Sequence, residues 1–194
     1  MSTSAKRLSQ KLKKAFSAAI GSSSEFRGET TLPVTDPTQI KEICQFAKVE
    51  LGFDYLVDIS SVDNYGDDPR FEVVYELYGY EHQTHLRLTT EISEETASLP
   101  SVTSVWRTAD WHEREIYDMM GIRFEGHPDL RRILMWEGYP YYPLRKDFPL
   151  AGKATELPDV AFSKPAPLEG GPFVTTPGAG DREQSEPRAK SSSS

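Results

Sequence analysis

Cysteine is almost absent from this chain, with a single thiol, Cys44, in 194 residues. One cysteine excludes an internal disulfide, a four-thiolate zinc site and an iron-sulfur cluster held by this chain alone. Any electrons must therefore pass elsewhere. Long apolar runs are also missing. No stretch approaches the ~20 residues needed to cross a bilayer, and no hydrophobic signal-peptide core follows the start. The expected location is cytosolic or peripheral to a membrane. Cations are in deficit, since 22 Lys and Arg against 30 Asp and Glu give a formal charge of -8. That balance repels phosphate backbones and argues against nucleic-acid binding.

What is present divides the chain into three parts. Residues 1–122 read as one α+β domain beginning with an amphipathic helix. Residues 123–150 read as an ordered interaction loop rich in proline and aromatics, and 151–194, dominated by Pro, Gly, Ser and charge, as an extended to disordered tail. The first ~150 residues suffice for one domain that buries about 70% of its unfolded surface without disulfide or metal.

Over residues 1–20, Leu8, Leu12, Phe16 and Ile20 recur at i, i+4 spacing beside Lys6, Arg7, Lys11, Lys13 and Lys14. Such a basic amphipathic helix suits a transit peptide or a membrane surface, but packing on its own domain is the reading adopted. Phe26–Val34 follows as a strand, with Pro33 suggesting an edge. Asp36-Pro37-Thr38-Gln39 starts a helix, since Asp36 can accept from free N–H groups and Pro37 suits the first helical position. Ile40, Ile43, Cys44, Ala47 and Leu51 form its stripe and Gly52 ends it. Three runs of period two follow: Tyr55–Val62 with Tyr55, Val57 and Ile59 on one face, Phe71–Tyr78, and Thr84–Ile92. Turn chemistry between them predicts an antiparallel meander. The predicted fold is α+β, two layers, with a mostly antiparallel sheet covered by helices on one face and an irregular C-terminal segment. Asp110, with Glu113 three residues on, caps a further helix that Gly121 stops. Beyond it, Phe124, Trp136, Tyr139, Tyr141, Tyr142 and Phe148 crowd a stretch broken by four prolines. So many rings on irregular backbone predict burial against another chain.

Several polar clusters bear weighing. Arg114 and Asp118, and Glu113 and Tyr117, sit one turn apart, so an ion-paired helix face opposite the Ile116 stripe is expected. His112, Glu115 and Asp118 could instead ligate a metal and serve a hydrolase, but the helix lacks the His-Glu-x-x-His pair of such enzymes. Arg131, Arg132, Arg145 and Lys146 could hold an anion, yet no Gly-rich cradle accompanies them. Charge-assisted hydrogen bonds within the loop or across a boundary between chains are the preferred reading. His127 reads as a hydrogen-bonded loop histidine, and Cys44 as a small core residue. No nucleophile and base converge on an evident pocket.

The run Trp111-His112-Glu113-Arg114-Glu115-Ile116-Tyr117-Asp118-Met119-Met120-Gly121-Ile122, then Phe124, then Gly126-His127-Pro128-Asp129-Leu130-Arg131-Arg132-Ile133-Leu134 carries a resemblance. So do Tyr142-Pro143-Leu144-Arg145-Lys146-Asp147-Phe148-Pro149 and Phe53-Asp54-Tyr55-Leu56. Together they resemble the 30 kDa subunit family of respiratory complex I, the C-type subunit of the bacterial enzyme, over most of residues 7–150. Met120 stands where the family signature often has an aromatic. The resemblance implies a cofactor-free structural subunit of the peripheral arm of an NADH-quinone oxidoreductase, supporting electron transfer from NADH to quinone coupled to proton translocation. Flavin mononucleotide, iron-sulfur clusters and quinone would belong to partner subunits. It implies packing against the 49 kDa (D-type) partner, with the B- and I-type subunits as further neighbours, peripherally on the cytoplasmic side of the bacterial inner membrane. Glu113, Arg114, Glu115, Asp118, His127, Asp129, Arg131, Arg132, Arg145 and Lys146 would then order the loop or meet partners. An equivalent subunit of a related quinone-reducing or hydrogenase complex is the alternative. The tail, anchored by Phe162, Pro167 and Phe173, would run over partner subunits.

Overall fold

The computed structural model describes residues 3–153; the tail segment 154–194, with the anchors expected there, lies outside the described residues. Residues Met1–Lys146 form one compact unit. It begins with α1 (Thr3–Ala15), whose Leu8 and Leu12 are buried in the core with Ile20 beyond the helix end. The helix is shorter than the periodicity suggests. Ile20 leaves it to bridge Val34, and the Gly21 N–H donates to the Pro33 carbonyl at 2.8 Å, so sheet pairing claims residues that could have continued the helix.

The expected single strand Phe26–Val34 is a hairpin, β1 (Ser24–Phe26) and β2 (Glu29–Val34). Arg27 and Gly28 both have positive φ, 50° and 88°, as a two-residue turn between right-twisted strands requires. Asp36 caps a single 3-10 turn, Pro37–Gln39, accepting from the Thr38 N–H at 3.1 Å, and α2 (Ile40–Leu51) follows. Gln39 reaches the Asp36 carboxylate itself at 2.7 Å. Gly52 ends α2 at φ 71°, the left-handed conformation glycine adopts without strain.

The meander is β3 (Tyr55–Asp63), β4 (Phe71–Gly79) and β5 (Thr84–Ile92), antiparallel throughout. The sheet order is β1-β2-β5-β4-β3, with β2 parallel to β5, so the sheet is mixed but mostly antiparallel. On β4, Phe71, Val73, Tyr75 and Leu77 point into the core, as the period of two dictates. β3 departs from simple alternation. A bulge between Leu56 and Asp58 shifts the register, so Leu56 and Ile59 are buried while Tyr55 and Val57 face outward. The expectation that Tyr55, Val57 and Ile59 share a face is thereby corrected.

A two-stranded parallel pair, β6 (Ser98–Pro100) with β7 (Arg123–Glu125), brackets α3 (Ala109–Met120). Neither strand is long enough to show a period. α3 packs mainly against β3 at the sheet edge. Its start is not an Asp110 capping box: Ala109 is the first residue, Thr108 precedes it without a side-chain bond, and Glu113 turns inward. Gly121 ends it at φ 79°, and a Cβ there would lie 2.6 Å from the Tyr142 ring. One continuous core joins α1, α2, the inner face of the sheet and the Ile116, Met119, Met120 side of α3.

Candidate functional site

The charged residues of α3 do not form a solvent-facing ladder. Glu113, Arg114 and Asp118 are buried, and each binds backbone from another part of the chain. A buried charge is tolerated only when paired or hydrogen-bonded, and the partners show what each one holds in place.

Asp118 grips the loop most firmly. Its Oδ2 accepts from the N–H groups of Ile133, Leu134 and Met135 at 3.0, 2.7 and 2.9 Å, and its Oδ1 accepts from the Arg132 guanidinium at 2.6 Å. Burial pushes this carboxyl up, but the backbone donors and Arg132 outweigh it and hold it below the usual carboxylate range. Arg114 acts in the complementary sense, donating to the carbonyls of Arg131 and Arg132 at 3.1 and 3.4 Å while its guanidinium lies 5.2 Å from the Trp111 ring centre. The two residues therefore do not pair with each other as the i, i+4 reading expects. Both turn to the loop because it brings unpaired N–H and C=O groups along that side of the helix.

The C-terminal carbonyls of α3, left free by helix geometry, are satisfied by the returning loop. Arg132 donates to the Asp118 carbonyl at 2.8 Å, the Leu144 N–H to Met119 at 3.2 Å, and Arg145 Nε to Met120 at 2.7 Å. Two guanidinium groups at the negative end of the helix dipole add favourable charge placement. Arg145 also stacks 4.6 Å from the Tyr142 ring centre and pairs with Glu94 at 3.1 Å. Asp63, deep at the end of β3, accepts the Lys146 N–H at 2.8 Å and the Arg70 guanidinium through both oxygens at 2.8 Å. The Arg70 hydrogen bond holds its carboxyl below the usual range against its burial.

Glu113 ties down a different segment. Its oxygens accept from Ser101 Oγ and the Val102 N–H, both at 2.7 Å. Desolvation in this site pushes its carboxyl up to about 7. Cys44 and Tyr75 lie in the same buried region, and burial, with a smaller contribution from Glu113, drives the Cys44 thiol well above its ordinary value.

The remaining expected site residues are scattered. His127 Nδ1 accepts the Asp129 N–H at 3.0 Å, so its Nε2 carries the proton and donates to the Asp110 carbonyl at 3.2 Å. Asp129 and Arg131 form an exposed pair at 2.8 Å, and Glu115 and the Lys146 side chain are exposed. His112 pairs with Asp58 of β3 at 3.1 Å. His112, Glu115 and Asp118 thus serve three separate environments. Among the described residues no three His, Cys, Asp or Glu side chains are placed to hold a metal. Arg131, Arg132, Arg145 and Lys146 likewise do not converge on one cavity, because Arg132 and Arg145 are spent on helix carbonyls and carboxylates.

The loop rings are partly buried within the chain. Trp136 packs edge-on to Tyr139 at 4.6 Å, Tyr139 to Tyr141 at 5.6 Å, and Arg132 lies over Tyr139 and Tyr142. Left exposed around the pinned segment are Trp111, Leu134 and Leu144, at 63, 61 and 57% of full exposure. The sequence reading missed Asp63, Arg70, Glu94 and Ser101. None lies in a motif, and their bonds to residues 7 to 83 positions away have no local signal.

Among known proteins, the family model for the respiratory-chain NADH dehydrogenase, 30 Kd subunit, matches residues 34–154, which include all of the site just described. The C 2 subunit of the NADH-quinone oxidoreductase of Rhizobium meliloti (strain 1021) is 51% identical over 135 residues, 69% of this chain and 74% of that protein. The C-type subunit of the NADH-quinone oxidoreductase of Geotalea uraniireducens (strain Rf4) is 44% identical over 146 residues, 75% of this chain and 88% of that protein. Among solved structures, the trypsin-resistant fragment of Nqo5 superimposes with a TM-score of 0.55 at 33% identity, covering 64% of this chain and 99% of the fragment.

Proposed function

This chain belongs to the family of 30 kDa subunits of the respiratory-chain NADH dehydrogenase, and from that premise we propose that its work is positional. It serves as the C-type subunit in the peripheral arm of an NADH-quinone oxidoreductase, supporting electron flow from NADH to quinone and the proton translocation coupled to it. The flavin mononucleotide, iron-sulfur clusters and quinone are carried by partner subunits. With one thiol, itself buried, the chain lacks the donor set for a cluster. The partners are the 49 kDa (D-type) subunit and the B- and I-type subunits, reached from the cytoplasmic side of the bacterial inner membrane, with membrane contact only through the complex. No helix among the described residues is long and apolar enough to cross a bilayer.

One observation carries this reading. The irregular segment 127–146 is fixed to α3 and β3 by buried charges, and Leu134 and Leu144 of the fixed segment, with Trp111 of α3, are exposed to solvent. An ordered loop flanked by exposed large apolar side chains is suited to a protein partner, because its conformational entropy is already spent before docking. On this reading Arg114, Asp118, His127, Arg132 and Arg145 order the loop, and Glu113 orders the segment at Ser101 and Val102. Glu115, Asp129, Arg131 and Lys146, exposed at the loop's margins, meet the partner.

Affinity isolation of the tagged full chain from its native membrane tests the reading. Redox subunits of the oxidoreductase should accompany it, and none would be found if the reading is wrong. Trp111→Ala and Arg131→Ala should lower assembled complex and quinone reductase activity in parallel. Normal assembly with lost turnover would point to direct chemistry instead.

A further inference from the structure

The face of the sheet turned away from α1 and α2 is a second surface, open to solvent across β2, β5 and β4 and met at its β3 edge by His112 of α3, which pairs with Asp58 at 3.1 Å. It forms a shallow concavity of about 620 Å³. Cross-strand register orders it into bands. At one end His85, Tyr78 and Tyr55 stand side by side, joined by Tyr80, with ring centres 4.7 to 5.9 Å apart. In the next band Arg87 is shared between Glu76 at 3.0 Å and Glu29 at 2.7 Å, which consumes the one guanidinium of the concavity. Beyond a neutral band of Thr89, Val74 and Ser60, Glu72 and Glu91 stand directly opposite each other.

Like charges directly opposed across a ladder destabilise a sheet, and here neither carboxylate has a cation partner among the described residues. Five carboxylates share the face (Glu29, Asp58, Glu72, Glu76 and Glu91) against a single arginine, with His85 beside Glu76 at 3.2 Å and His112 beside Asp58 at 3.1 Å, which leaves Glu72 and Glu91 as the pair without a basic neighbour among the described residues. We infer that this outer face is a docking surface for a Lys- or Arg-bearing segment of a second polypeptide in the assembled complex. That segment places its cations between Glu72 and Glu91 and an apolar side chain on the Tyr55, Tyr78, Tyr80 cluster. The two ends are six residues apart on β4, or about 20 Å, which fixes the spacing. The chain's own residues 154–194 are unsuited, since they carry six acids and four bases. The inference rests on the assembly reading above and adds a surface to it.

The test compares carboxylate labelling, by carbodiimide and glycine ethyl ester, in the free full chain and in the complex purified from membranes. Glu72 and Glu91 should react at least tenfold more slowly in the complex, and carbodiimide coupling without added amine should join this face to another polypeptide. Equal labelling in both states overturns the inference, as does coupling confined to a second copy or to this chain's own tail. Glu72→Lys combined with Glu91→Lys should reduce recovered complex at least tenfold. The gentler pair Glu72→Gln and Glu91→Gln, which removes charge without bulk, should reduce it less while the chain unfolds at an unchanged or higher temperature, since the opposed charges are gone. Unchanged recovery with both pairs refutes the surface. If the wild-type chain leaves the membrane alone, the assembly reading fails; if it leaves with redox subunits but this face stays open, only the present inference does.

Discussion

Replacing Asp118 by Asn keeps the shape of the side chain and removes its charge, and the geometry dictates where the loss falls. The carboxylate accepts four hydrogen bonds, three from backbone N–H groups on Oδ2 and one from Arg132 on Oδ1. An amide can satisfy one side only, because whichever way it turns, its NH2 faces donors. Uncoupling one partner of a buried charged pair costs about 3–5 kcal/mol. Arg132 retains the carbonyls of Asp118 and Tyr141, so the lower end applies. About 3 kcal/mol is a factor of roughly 150 in the equilibrium for local opening. Amide hydrogen exchange should read it directly: Ile133, Leu134 and Met135 should exchange about a hundredfold faster, while Val73 and Tyr75 in the interior strand β4 change much less. The pH dependence has a definite sign. The folded carboxyl titrates below its ordinary range, so its stabilisation is present above that range and is lost as pH falls through the lowered value. The gap between wild type and Asp118→Asn should therefore close in acid. Unchanged protection of residues 133–135 at neutral pH would refute the claim that this carboxylate holds the loop.

Three further outcomes are expected. Glu113 titrates near 7 when folded, above the ordinary glutamate range, so its contribution is intact below that range and lost as pH rises through about 7. The unfolding free energy from urea titration should fall between pH 5 and 8 by up to about 3 kcal/mol in wild type, and far less in Glu113→Gln, which can keep both hydrogen bonds. Cys44, fully buried with its thiol pushed up, should react with a thiol reagent only as fast as the domain unfolds; rapid labelling of the native chain would contradict its core position. Gly121→Ala combines a left-handed backbone with a Cβ driven into Tyr142 and should cost about 2 kcal/mol or more by thermal melting.

The regular elements were legible because each announces itself locally. The stripe Ile40, Ile43, Cys44, Ala47, Leu51 ends at a left-handed Gly52, and the alternation of β4 is uninterrupted. Where reading failed, the deciding force was tertiary. The bulge at Val57 inverts the face of Tyr55, and no run of residues signals the extra one. The three-residue strands β6 and β7 are too short for any period, and the Arg27-Gly28 hairpin turn lacks the more familiar Asn-Gly pair. At the site, the sequence brought Arg114, Asp118, Arg132 and Arg145 to notice, but as an exposed pair and a loop cluster. Local spacing favours pairing within a helix, whereas the unpaired backbone of a loop some fifteen residues onward competes for the same side chains and prevails because it would otherwise be buried unsatisfied. Glu113 illustrates the converse: a residue in perfect capping position is drawn inward to Ser101 and Val102.

The parallel seam between β2 and β5 has a consequence for biosynthesis. Thr31 lies beside Arg87 and Val34 beside Thr90, so β2 must wait on the ribosome for more than fifty further residues before its long-lasting neighbour exists. Until then Leu32 and Val34 have the Ile20 bridge and the short β1 hairpin but no long strand beside them. Late-closing contacts of this kind slow folding and favour misassociation, so a nascent chain arrested ahead of Thr84 should be a preferred client of chaperones. One released after Ile92 can zip the seam shut.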